Sequence, residues 1–407
     1  MKKIIIIGGS HAGVQAAFTL RNQMPDAQID IFSDEAHYPY HRPPLSKKSL
    51  QETSSLEDIL LKPKALYKEL NISFHASTPV TEIDHHKSFI KTKDQKFAYD
   101  TLILATGGTP RKLDIEGVDN KDVLYMRDFN DAQKLKDKLD NTKSVLLIGG
   151  GYIGLETAAS LRIKDKNVTV IEAADRILNR VVCPQMSDYY QSFHKSKGVN
   201  FIINDHIVSA EKSASAYQLT TKKNEKITAD LIIVGIGIIP NTHLAQTIGI
   251  ECNNGIDVNQ FCQTSVDNIY AIGDCANYYH ERYQQKLRIE SVQNATEQAR
   301  ICASHISGKP FKEPSTPWFW SDQYDLNLKM VGLNIGYEDT IIRGDITNNK
   351  FSCFYIAKNK VVAVDAVNSP GDFMAAKIII TKNKEVDLSL LKDQNLTTSE
   401  VMKSWQL

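Results

Sequence analysis

Residues 144–162 read SVLLIGGGYIGLETAASLR. The opening SVLLI is the continuous apolar run of a strand buried on both faces of a parallel sheet. Gly149, Gly151 and Gly154 follow, and then small and apolar residues at helical spacing. VTVI at 168–171 supplies the next strand, ending on Glu172, 23 residues after Gly149. A strand, a glycine-rich turn, a helix and a second strand make one βαβ unit of a dinucleotide-binding domain. The chemistry explains the spacing. Two phosphates must sit against backbone N–H groups at a helix N-terminus, where the dipole favours anions. The first glycine makes the turn, the second admits the pyrophosphate and the third lets helix and strand pack closely. A carboxylate at position 172 accepts from a ribose 2′-hydroxyl and repels a 2′-phosphate, so the expectation is NADH over NADPH.

The same pattern stands at the N-terminus. Residues 3–21 read KIIIIGGSHAGVQAAFTLR, and IDIF follows at 29–32. Here the turn residues are Gly8, Ser10 and Gly13, with serine in the middle position, and the matching acid is Asp34 or Glu35. Two such units predict an α/β chain with two Rossmann-like domains. Three more strands end in small residues: YDTLILATGGTPR (99–111, with Thr106 and Gly107), ADLIIVGIGIIPN (229–241, with Gly235 and Gly237) and NIYAIGDCA (268–276, with Asp274). Ligands of open α/β sheets sit at the C-terminal ends of strands, and a carboxylate there suits a polyol hydroxyl.

The composition excludes several classes. The 407 residues are 42 % apolar, enough for two or three domains. Lys plus Arg is 48 and Asp plus Glu is 48, which speaks against nucleic acid or an acidic membrane surface as partner. No apolar run approaches the ~18 residues of a membrane span, and the short apolar start runs straight into glycines, unlike a signal peptide. Six cysteines in this length do not make a disulfide scaffold, so the expected setting is the cytoplasm. No His/Cys/Asp cluster has metal-ligand spacing.

The order GGSHAG, RPPLSK (42–47), ATGG, GGGYIGLE, GIGIIPN, AIGDCA, RIESVQNATEQAR (288–300) and WFWSDQY (318–324) resembles the FAD-dependent NAD(P)H:ferredoxin reductases of bacterial oxygenase and cytochrome P450 systems. The resemblance covers the chain from Lys3 to at least Tyr324. It implies a glutathione-reductase-like arrangement, with an FAD domain in two pieces (1–110 and 243–322), an NAD domain (111–242) and a C-terminal α+β domain (323–407). In that last part IIRG, FSCFYIA and KVVAVDA read as antiparallel strands, Lys358-Asn359-Lys360 as a turn and the stretch after Pro370 as a helix.

The resemblance also implies site residues. Gly8, Ser10, Ala12 and Gly13 would lie at the FAD pyrophosphate and Asp34 at the adenosine ribose. Arg42 and Lys47 would approach the phosphates and the isoalloxazine, Val80 and Arg127 the adenine end. Thr106 and Gly107 belong to the same cofactor site, Asp274 to the ribityl chain, and Val292 would open a helix aimed at the pyrimidine ring. Gly149, Gly151, Ile153, Gly154, Glu172 and Arg180 would hold NADH, with Gly235 and Gly237 along the nicotinamide path. Lys47 and Glu156 would meet beside flavin N5, and Trp320 would screen the ring near the partner surface. Glu290 reads equally as a flavin-side polar group or a cap-region acid, and His11 reads as an exposed loop residue rather than a phosphate ligand.

Relatives that reduce disulfides carry a cysteine pair near the flavin. Here no cysteine precedes Cys183, and none of the six shows C-x-x-C spacing. The default is free, buried thiols, with Cys275 as packing beside Asp274. Electrons would then pass from NADH to FAD and singly to a small 2Fe–2S ferredoxin or a rubredoxin-like carrier. The other readings are a reductase of a quinone, dioxygen or another small acceptor, and a non-catalytic redox-signalling protein resembling apoptosis-inducing factor.

Overall fold

The computed structural model describes residues 1–52, 55–213, 216–311 and 314–405. The chain divides into two compact units: Met1–His41, Ser55–Thr109 and Ile238–Ser315 in the first; Arg42–Ser54, Pro110–Gly237 and Thr316–Leu407 in the second.

The first unit is built on a parallel five-stranded sheet. Its order is Ile269–Ala271, Thr101–Leu104, Lys3–Ile7, Gln28–Phe32, Ile72–His75. The glycine-turn strand is central, pairing Ile4 with both Ile29 and Thr101. Helix His11–Gln23 follows its turn and packs beside helix Val292–Ser307, sharing one core of Val14, Ala17, Ala295, Ala299 and Ile306. A small antiparallel meander, Glu82–Asp84, Phe89–Lys91 and Lys96–Ala98, completes the unit's first half.

The second unit repeats the plan. Its parallel sheet runs Val199–Ile203, Asn167–Glu172, Ser144–Ile148, Leu231–Val234, Val123–Tyr125. Again the glycine-turn strand is central, with Leu147 between Val170 and Ile233. The duplication differs at one edge. In the first unit the strand beside Thr101–Leu104 arrives late, at Ile269; in the second the equivalent edge strand, Val123–Tyr125, precedes the glycine turn.

The second unit also carries an antiparallel five-stranded sheet, ordered Trp318–Gln323, Leu326–Gly332, Lys360–Val367, Lys350–Ala357, Asp339–Asp345. Lys358 and Asn359 have φ of 48° and 54°, so the turn between the last two long strands is a two-residue loop with both residues left-handed. Such a loop matches the strand twist. Helix Pro370–Lys382 starts on a proline at its first position and buries Phe373, Ala376, Ile379 and Ile380 against the sheet. Among the described residues no helix is long and apolar enough to cross a membrane.

Candidate functional site

Each glycine turn is held by its own geometry. At the second, Gly149 adopts φ 112°, and a Cβ on Gly154 would lie 2.2 Å from the Gly149 carbonyl oxygen. Both positions therefore exclude any side chain for reasons internal to the fold. Gly151 does not: a Cβ there would meet no protein atom within 4 Å, and its φ of −80° suits any residue. The packing of the chain does not require a glycine there; close approach of a pyrophosphate to the following helix would. Glu172 closes over the turn, its carboxylate accepting from the N–H of Gly150 (2.7 Å) and of Ala174 (2.8 Å). Ile153, in the helix's first turn, is 46 % exposed although apolar. Arg180 is exposed and lies beside Gly237, itself next to Gly235, whose carbonyl abuts Gly149. The residues assigned from sequence to NADH thus gather at one strand end of the second unit.

The first unit presents the matching arrangement with Ser10 as the residue before its helix. A Cβ on Gly13 would lie 2.0 Å from the Gly8 carbonyl oxygen. Ala12 is buried against Gly273, the residue that opens the short turn carrying half-buried Asp274. Gly273 N–H donates to the Gln298 side chain (2.7 Å), and the Arg288 guanidinium donates to the Asp274 carbonyl (3.1 Å). Thr106 and Gly107 are tied to Asn241 by the Thr106 hydroxyl (2.7 Å) and by Asn241 N–H to the Gly107 carbonyl (2.9 Å). Val292 begins its sixteen-residue helix after Ser291, whose hydroxyl accepts from Asn294 N–H. Asp34 is exposed at the end of its strand, whereas Glu35 accepts from the Tyr40 hydroxyl. Val80 lines the core around Ile83 and Leu104. Glu290 is ion-paired with Arg288 at 2.6 Å.

His11 differs from the expectation of an exposed loop residue. It is the first residue of its helix, half-buried, with its ring edge-on to His41 at 5.3 Å. The turn closes one residue earlier than a loop reading allows, because Ser10 already takes the helix-capping position.

In the second unit the RPPLSK segment meets the helix Tyr152–Ile163. Glu156 and Ser160 stand one turn apart on that helix. The Lys47 ammonium is 3.0 Å from Glu156 Oε1, and the Ser46 hydroxyl donates to Oε2 (2.7 Å). Ser160 donates to the Ser46 carbonyl (2.8 Å) and accepts from Gln51 (3.0 Å). The Ser321 hydroxyl donates to Glu156 Oε1 (2.7 Å). Glu156 is only 3 % exposed, so this buried carboxylate has a cation and two hydroxyl donors. Arg42 reaches Arg127, donating to its carbonyl (3.0 Å). Trp320 is half-buried beside Trp318, ring centroids 5.7 Å apart, on the strand face opposite Ser321.

The sequence had not indicated Ser46, Ser160 or Ser321 as partners in this cluster; the one local signal available was the four-residue spacing of Glu156 and Ser160. Nor had it paired any cysteines. Cys183 and Cys353, 170 residues apart, are both buried with Sγ atoms 3.6 Å apart. Both are free, buried thiols as expected, and the fold adds a contact between them because a helix start meets an inner strand of the antiparallel sheet. The Tyr355 hydroxyl accepts from Cys183 N–H (3.0 Å) and donates to Asp365, whose carboxyl burial pushes up to about 8. Cys275 is fully buried against the carbonyls of Ile272 and Leu104, and burial pushes its thiol up. Among the described residues no group of three His, Cys, Asp or Glu could hold a metal ion.

Residues 2–299 match the pyridine nucleotide-disulphide oxidoreductase family and residues 318–402 the reductase C-terminal family. Putidaredoxin reductase CamA of Pseudomonas putida is 38 % identical over 98 % of this chain and 96 % of its own length. The 5,5′-dehydrodivanillate O-demethylase ferredoxin reductase subunit of a Sphingobium strain is 36 % identical over 98 % of this chain and 97 % of its own. Among solved structures, the reductase of the covalent putidaredoxin reductase–putidaredoxin complex superposes with a TM-score of 0.95. It covers 100 % of this chain and 99 % of that one at 37 % identity. The chain, with its two glycine turns on two parallel sheets, belongs to the pyridine nucleotide-disulphide oxidoreductase family and is an oxidoreductase carrying a reductase-type C-terminal domain.

Proposed function

We propose that this protein is an FAD-dependent NADH:ferredoxin oxidoreductase of an oxygenase or cytochrome P450 system, working in the cytoplasm with a small 2Fe–2S or rubredoxin-like carrier. The observation that carries the reading is the pair of glycine turns. In both, a side chain on either closing glycine would lie 2.0–2.4 Å from a backbone carbonyl oxygen, whereas a Cβ on Gly151 would meet no protein atom within 4 Å. The donor sets fit two dinucleotides: helix N-termini for two pyrophosphates, Asp34 and Glu172 for two riboses, and Asp274 for a polyol chain. FAD, when bound, supplies the passage from two-electron hydride chemistry to one-electron transfer.

The chain's own residues do the rest. Gly149, Gly151 and Gly154 seat the NADH pyrophosphate, and Ile153 and Arg180 flank it. Glu172 takes the ribose hydroxyls and repels a 2′-phosphate. Gly8, Ser10, Ala12 and Gly13 seat the second pyrophosphate, and the first turn at Val292 offers its N–H groups to negative charge on the flavin. Glu156 fixes the Lys47 ammonium, a positive charge for the flavin ring. Hydride transfer asks for alignment at near van der Waals distance rather than a protein acid or base, so these residues are positioning groups. Trp320 separates the ring from the carrier.

The test is direct. Purified protein should be yellow, and anaerobic mixing with NADH should bleach the flavin absorbance within the stopped-flow time range. Cytochrome c reduction should rise steeply when a 2Fe–2S ferredoxin is added. A colourless preparation that stays so when supplied with FAD refutes the reading; carrier-independent reduction of quinone or dioxygen at full rate refutes the assigned acceptor.

A further inference from the structure

Glu156 receives more than the Lys47 ammonium. Ser321 Oγ donates to its Oε1 (2.7 Å) and accepts from Gln323 Nε2 (3.0 Å). Gln323 Oε1 in turn lies 2.8 Å from His194 Nε2. A carbonyl oxygen only accepts, so the imidazole proton sits on Nε2. All four residues are at most 3 % exposed. Ser321 and Gln323 share one face of strand Trp318–Gln323, and His194 comes from helix Pro184–Ser196.

We propose that Ser321, Gln323 and His194 are positioning residues that act on the flavin through Glu156 and Lys47. This inference rests on the reading that the Lys47–Glu156 pair stands beside the flavin. The chain of bonds has one direction: imidazole N–H to amide oxygen, amide N–H to hydroxyl oxygen, hydroxyl hydrogen to carboxylate. Bonds aligned in this way polarise one another, and a low-dielectric setting strengthens them. They converge on the Glu156 oxygen that holds Lys47, so they set where the ammonium stands. His194 is a neutral terminal donor, since burial pushes its imidazole down to about 4. Its Nδ1 is buried and has no hydrogen-bond partner among the described residues, so the ring joins the chain through Nε2–H alone. The strand that bears Trp320 on one face thus bears on the other the group that orients the Lys47 charge.

The test uses the flavin-loaded protein. Ser321→Ala should slow NADH-driven flavin bleaching about tenfold, the weight of one hydrogen bond to a charged group. The NADH dissociation constant should be unchanged. A Lys47 ammonium that drifts stabilises reduced flavin less. The midpoint potential should therefore fall by the same tenfold, about 30 mV for two electrons. Ser321→Thr, which keeps the hydroxyl, should restore both values. In a Lys47→Met background Ser321→Ala should have no further effect. Gln323→Met should move both readouts in the same direction by less, and it carries the test if Ser321→Ala does not fold. If Lys47→Met shifts the potential and neither outer variant does, this inference falls while the proposed site stands. If none of the three shifts it, the placement of the pair beside the flavin falls as well. An effect of Ser321→Ala that persists without Lys47 overturns the route through Glu156.

Discussion

The same substitution at two positions three residues apart should separate ligand binding from folding. A methyl group on Gly154 would stand 2.2 Å from the Gly149 carbonyl oxygen, about 1 Å inside the closest ordinary carbon–oxygen contact. The strand and helix must part to admit it. Against rigid backbone at this distance the overpacking cost lies in the upper part of its range, about 2–3 kcal/mol, of which the better helix propensity of alanine returns about 1. Gly154→Ala should therefore lose about 1–2 kcal/mol, which lowers Tm by about 2–8 °C in a domain of this size. At Gly151 the methyl group meets nothing in the protein. Gly151→Ala gives up a residue that tolerates the capping position, a loss of about 0.7 kcal/mol, and Tm should fall by no more than about 3 °C. Its cost should appear in NADH. The methyl group occupies the approach path of the pyrophosphate, and a weakening of tenfold or more is expected, equal to 1.4 kcal/mol. Thermal unfolding followed by circular dichroism gives the first quantity. NADH titration, and KM with ferricyanide as a carrier-free acceptor, give the second. Wild-type NADH affinity in Gly151→Ala would refute the placement of the pyrophosphate, and wild-type Tm in Gly154→Ala would refute the close packing of the turn.

Three further outcomes follow from the geometry. Glu172→Gln should raise NADPH use relative to NADH about tenfold, because the charge that repels a 2′-phosphate is gone; an unchanged ratio of kcat/KM values removes Glu172 from cofactor selection. His194, buried and neutral, binds a proton at 6.5 when unfolded and only near 4 when folded. Stability is full above pH 6.5 and falls as pH drops towards 4, by about 3 kcal/mol, and His194→Leu should flatten that part of the urea-unfolding profile. Tyr355→Phe strips the hydroxyl that joins Cys183 N–H to the Asp365 carboxyl, leaving two buried groups unpaired. A loss of about 2 kcal/mol is expected, read as a drop in Tm with NADH affinity unchanged.

The parts visible in the sequence are those fixed by local rules. SVLLI and KIIII needed only their apolar continuity, and Gly149 and Gly154 only the steric demands of one turn. Lys358-Asn359 between two alternating segments marked a hairpin for the same reason. The Lys47–Glu156 contact was reached through family resemblance, since 109 residues separate the two. What surrounds it was not legible. Ser321 reads as one polar residue among aromatics, and its hydrogen bond to Glu156 spans 165 residues. Cys183 and Cys353 carry no spacing signal because a helix start and a strand interior meet only after the sheet has formed. His11 shows the smaller error of reading a turn one residue too long.

The chain changes unit five times, after His41, Ser54, Thr109, Gly237 and Ser315. Synthesis runs in one direction, so the first unit waits. Its sheet lacks the edge strand until Ala271 has left the ribosome, and helix Val292–Ser307 covers Val14, Ala17 and Phe18 only when three-quarters of the polypeptide has been made. Until then the nascent N-terminal layer shows an apolar side to the solvent, a natural substrate for a holdase. No continuous gene fragment encodes that unit alone.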